Sequence, residues 1–168
     1  MSKTLRRLMV GVILLGLAGC GGDEPPPPPP PPPPPAPPAA TIVSLTMRAA
    51  ADVNPSAAGV ASPVVVRVYQ LTGVTGFTES DFFRLQQDAA GALGDELIND
   101  ETFVLAPGDV TIYQRKLGEE VRFLAITAAF RDISAGTWRS FQAVPQGATT
   151  LLEAEISGTE VTMRKASL

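Results

Sequence analysis

VVVRVYQL, residues Val64 to Leu71, alternates with the period of a β-strand: Val64, Val66 and Val68 share one face, and Val65, Arg67, Tyr69 and Leu71 the other. Both faces are predominantly apolar. A strand of that kind lies centrally in its sheet. Upstream, Ala51 to Ser62 is rich in Ala, Gly, Asn, Ser and Pro and reads as a long loop. Before it, Thr41 to Met47 alternates again, with Val43, Leu45 and Met47 set against Ile42, Ser44 and Thr46, as a half-buried strand requires.

Downstream, Gly73 and Gly76 end the central strand, and Thr78 or Ser80 is placed to cap a helix with the acids Glu79 and Asp81 in its first turn. Phe82, Phe83 and Leu85 are expected to face inward. A second helical turn after Gly91 is expected to carry Leu93, Leu97 and Ile98. Strand pattern resumes at Thr102 to Leu105, turns at Pro107-Gly108, and runs through Val110 to Leu117. Further candidates are Val121 to Phe130, Thr137 to Ala143, Ala148 to Ile156 and Glu160 to Lys165, separated by glycines. About eight short strands with turn signals at this spacing predict an antiparallel β-sandwich with a small helical insert.

The N-terminal part has a different character. Lys3, Arg6 and Arg7 precede an apolar run from Leu8 to Leu17, and Leu17-Ala18-Gly19-Cys20 closes it on the only cysteine of the chain. A basic start, a short apolar core and small residues before the cut describe a secretory signal too short to span a bilayer. Ending it on cysteine is the pattern of a bacterial lipoprotein. Residues 1–19 are expected to be removed, with the Cys20 thiol carrying a diacylglycerol and its new amine an N-acyl chain. Several acyl chains satisfy the requirement for stable anchoring. The next residue is Gly21 and not the aspartate that typically retains lipoproteins at the inner membrane, so the expected site is the outer membrane, facing the periplasm. Residues 25–38 are proline except for Ala36. In polyproline II such a run stands roughly 40 Å long, so residues 20–40 read as a lipidated, semi-rigid tether, and 41–168 as one folded domain.

Removing residues 1–19 takes Lys3, Arg6 and Arg7 with it, leaving 10 of the 13 basic residues against 17 acids, a net charge of −7. That balance argues against nucleic acid as a partner. A single cysteine allows no internal disulfide, and the absence of histidine removes the commonest metal ligand and general base. Asp95 with Glu96 and Asp100 with Glu101 are the obvious paired acids, but clusters near a helical insert are ordinarily solvated surface. Trp138, alternating with Phe141 and next to Arg139, has the elements of a sugar-stacking platform, although a lone tryptophan on a strand is more often a core residue. No catalytic residues, metal site or cofactor is expected beyond the lipid on Cys20.

Asn54-Pro55, a variable stretch, and SPVVVRVYQLT (Ser62 to Thr72) resemble the outer-membrane lipoproteins of the type VI secretion system, the TssJ, VasD or SciN family. The resemblance continues in order through FTESDFFRL (Phe77 to Leu85), Leu93-Gly94, LAPGD (Leu105 to Asp109), AAFRD (Ala128 to Asp132) and Trp138-Arg139. Two departures are the long proline tract and Phe130, where the family often has tyrosine. The resemblance implies a transthyretin-like sandwich and a function without catalysis. It implies that the lipoprotein binds the periplasmic C-terminal domain of TssM within the TssJ-TssL-TssM membrane complex and so fixes that complex to the outer membrane. It also implies that the loop between the first two strands is a main contact, here Val53, Asn54, Pro55, Ser56, Ala57, Ala58, Gly59, Val60, Ala61 and Ser62. The alternative class is a free-standing periplasmic module binding peptidoglycan or another glycan.

Overall fold

The computed structural model describes residues 39–166, all within one compact unit. Cys20, the signal and the proline tract lie outside the described residues. In chain order the strands are β1 (Thr41–Ala49), β2 (Val64–Leu71), β3 (Leu97–Leu105), β4 (Val110–Leu117), β5 (Phe123–Ala129), β6 (Arg139–Ala143), β7 (Thr149–Ser157) and β8 (Glu160–Lys165). They form two four-stranded sheets, β4-β1-β7-β8 and β3-β2-β5-β6, the expected sandwich with its helical insert.

The alternation read in the sequence sets the core. Val43, Leu45 and Met47 of β1 and Val64, Val66 and Val68 of β2 point between the sheets and meet Leu124, Ile126, Leu152, Ile156 and Val161. Burying each such side chain contributes about 1.5–3 kcal/mol. Gln70 continues the inward row of β2, and its buried amide donates to the Tyr113 hydroxyl at 2.8 Å. Burial raises the pKa of that hydroxyl. Neighbouring strands run antiparallel except β1 and β7, which pair in parallel from Ile42↔Thr149 to Ala49↔Ile156. These two strands are distant in the chain, so no hairpin dictates their polarity.

The second face of β2 is covered by α1 (Thr75–Glu79), α2 (Phe82–Gln87), α3 (Ala89–Leu93) and a 3₁₀ turn, Gly94–Glu96. Tyr69, Leu71 and Ala125 from the sheet meet Phe77, Leu85, Ala89 and Leu93 from the insert in a separate apolar cluster. β2 and β5 are apolar on both faces because each face has a cover. Helices this short are not stable alone, so packing and specific bonds hold them. Arg67 Nε donates to Asp100 Oδ2 at 2.6 Å and its Nη1 to the Leu85 carbonyl at 3.2 Å; the Asp100 bond raises the guanidinium pKa. Arg139 Nη1 donates at 2.8 Å to the carbonyls of both Phe77 and Ser80.

The insert departs from the sequence expectation in three places. Asp81, not Thr78 or Ser80, caps the principal helix, accepting from the Arg84 N–H at 2.9 Å. Phe83 points outward and is 60% exposed, while Leu85 is buried. Leu97 and Ile98 open β3 and do not continue a helix, because Gly94, at φ +52, breaks the chain away from α3.

Candidate functional site

The connection from β1 to β2 crosses one end of the sandwich. Its base is fixed. The Ala50 N–H donates to Ile156 at 2.8 Å, Asn54 N–H to Gly158 at 2.7 Å, and Ser62 N–H back to Val53 at 3.0 Å. Val53 is fully buried in the main core. Asn54 is 4% exposed and sits at φ +50, a region that asparagine tolerates better than most residues. Its Nδ2 donates to the Pro63 carbonyl at 2.7 Å and its Oδ1 accepts from the Arg131 N–H at 2.8 Å. One side chain therefore joins the two ends of the loop and ties both to the β5–β6 connection.

The tip is a small closed turn. Ser56 N–H donates to Val60 and Gly59 N–H to Ser56, both at 2.8 Å, while the Ser56 hydroxyl accepts from Val60 N–H at 3.2 Å. Gly59 adopts φ +77. The ten candidate residues thus divide into groups. Val53 and Asn54 are buried support; Pro55, Ser56, Ala61 and Ser62 are half-buried; Ala57, Ala58, Gly59 and Val60 are exposed. Only the last two groups are accessible to a partner.

The sequence marks Arg131 and Asp132 as a charge pair at a strand end, within AAFRD, but not as neighbours of this loop. The β5–β6 connection and the β7–β8 turn lie at the same end, joined by a 2.7 Å bond from Val161 N–H to Thr137. Gly136 packs so closely on the turn that a Cβ there would lie 2.2 Å from the Thr159 carbonyl oxygen. Between the tip and these segments runs a groove of about 540 Å³ lined by Pro55, Ser56, Ala57, Arg131, Asp132, Ala135 and Thr159.

The other candidates have structural engagements. Glu96 accepts from Gly76 N–H at 2.9 Å. Asp100 pairs with Arg67, and Glu101 with Arg115, both at 2.6 Å. Among the described residues, no three His, Cys, Asp or Glu side chains gather as a metal site would need. Trp138 is half-buried and packs against both apolar clusters. The Arg139 guanidinium lies 4.6 Å from its ring centroid and Phe82 meets it edge-on at 5.4 Å. Burial lowers the Arg139 pKa. A sugar platform needs an open ring face, and protein groups already pack against this ring.

This architecture defines a class: a two-sheet β-sandwich with a short helical insert packed on one outer face. The chain belongs to the type VI secretion lipoprotein family (VasD, EvfM, TssJ), whose family model matches residues 41–159. It is similar to the T6SS lipoprotein TssJ1 from Pseudomonas aeruginosa, at 35% identity over 79% of this chain and 99% of that one, with a TM-score of 0.74. It also resembles a chain in a structure described as a type VI membrane complex, at 27% identity over 74% of this chain and 98% of that one, TM-score 0.65. A chain in the structure of the T6SS protein TssM C-terminal domain (869-1107) from EAEC matches at 27% identity over 73% of this chain and 99% of that one, TM-score 0.60. Curated proteins give no match.

Proposed function

We propose that this lipoprotein anchors a type VI secretion membrane complex to the outer membrane by binding the periplasmic C-terminal domain of TssM, which the complex also joins to TssL. In this reading the chain is cut before Cys20, acylated there with a diacylglycerol and an N-acyl chain, and held off the bilayer by its proline-rich tether. The observation that carries the reading is the likeness to a chain in the TssM C-terminal domain structure.

The described geometry is consistent with that role. β1 runs nine residues, about 30 Å at the usual rise, and the loop follows its C-terminal end. The loop tip offers small side chains, backbone groups and Val60, without large anchors, so a modest single-site affinity is expected. Anchored copies rebind at high effective concentration, which supplies the remaining strength.

The test replaces Pro55 to Ala61 with a Gly/Ser segment of equal length, leaving Val53, Asn54 and Ser62 in place. The variant is expected to melt near the wild type and to lose co-purification with the TssM C-terminal domain. Retained co-purification removes the loop from the interface.

A further inference from the structure

We infer that the partner surface is a composite of three loops, in which Arg131 beside the β1–β2 tip receives a carboxylate of the partner. This rests on the anchoring reading above and specifies the chemistry that the site recognises.

Two independent sets of observations carry it. The first is rigidity: Asn54 bonds the Arg131 backbone and Gly158, while Gly136 presses against Thr159. The β1–β2 loop, the β5–β6 connection and the β7–β8 turn are thereby held as one unit. A surface made of pre-ordered loops loses little entropy on binding. The second is charge. Arg131 is exposed and lines the groove together with Pro55, Ser56, Asp132 and Thr159. Among the described residues its guanidinium makes no ion pair and no hydrogen bond, unlike Arg67, Arg115 and Arg164, which each pair with an acid. The adjacent Asp132 carboxylate is engaged by its own loop, accepting from the Ser134 N–H at 3.1 Å and hydroxyl at 2.7 Å.

A guanidinium whose main chain is fixed and whose donors are unused is suited to bidentate binding of a carboxylate. The otherwise small, uncharged tip supplies shape, and Arg131 supplies direction. The occupant of the groove is therefore an acidic side chain on the TssM periplasmic domain.

The experiment is calorimetry of the full chain in detergent against the cognate TssM C-terminal domain, at low and high salt. Wild-type binding is expected to weaken as salt rises. Arg131→Glu should lose at least about tenfold in affinity with an unchanged melting temperature, and Arg131→Lys, which keeps the charge but not the two-pronged geometry, should fall between Arg131→Glu and wild type. Reversing the matching acid on the partner should restore binding to Arg131→Glu. If wild type binds and Arg131→Glu binds equally well, the composite surface is overturned while the loop reading stands. If wild type does not bind at all, both are overturned.

Discussion

The Asn54 Oδ1 accepts a 2.8 Å hydrogen bond from the backbone N–H of Arg131, 77 residues further along the chain. With the 2.7 Å bond from its Nδ2 to Pro63, this single buried amide organises the end of the sandwich that carries the candidate surface. Replacing it with alanine leaves an N–H and a carbonyl without their partner and places a residue with no polar side chain at φ +50. Asn54→Ala should cost about 2–4 kcal/mol in urea unfolding and weaken partner binding through a loosened loop, although Asn54 itself is buried. An unchanged unfolding midpoint contradicts the hub role.

Arg67 is the corresponding fastener of the helical insert. It bonds Asp100 on β3 and the Leu85 carbonyl on α2, and its guanidinium lies 5.3 Å from the Tyr69 ring centroid. Arg67→Met should lower stability by about 1–3 kcal/mol. Hydrogen exchange should show earlier opening of Phe82 to Leu93 than of β1 or β7, because short helices depend on such contacts. Uniform loss of protection across both sheets contradicts this.

Both tyrosines are buried among apolar groups, and desolvation raises both pKa values, with a hydrogen bond between Tyr69 and Thr127 and one from Gln70 to Tyr113 opposing it. The folded state therefore holds these protons more tightly than the unfolded chain. The associated stability is complete below the ordinary tyrosine pKa of about 10 and is lost as pH rises through the higher folded-state values. Phenolate absorbance should appear at higher pH in native protein than in urea, and the urea midpoint should fall in the same range. Native and unfolded titrations that superimpose refute the effect.

Much of the fold is legible in the residues because burial obeys a local period. Val43, Leu45 and Met47, or Val64, Val66 and Val68, announce an inner face without knowledge of the other sheet. The start of β3 is less legible, because Leu93, Leu97 and Ile98 have helical spacing and only the positive φ of Gly94 decides against a helix. Parallel pairing of β1 with β7 leaves no local mark. The geometry of the candidate surface is half legible. Small residues and breakers mark the loop, but the support from Val53 and Asn54 and the proximity of Arg131 depend on contacts between distant segments. An Asn-Pro pair signals a turn and says nothing about which carbonyl or N–H its side chain will meet.

Cys20→Ser tests the anchor independently of the fold. The variant should fold normally and bind the TssM domain in solution, yet leave the membrane fraction and fail to support secretion, since stable attachment needs the acyl chains. Shortening the tether moderately should keep binding in solution and weaken assembly in cells. Equal secretion from a tether of a few residues contradicts a spacer role.

The central claim is that this domain binds the C-terminal periplasmic domain of its cognate TssM. Titration calorimetry of the full chain in detergent against that domain tests it most directly. Saturable one-to-one binding is the predicted result, and no heat of binding at the highest soluble concentrations contradicts it.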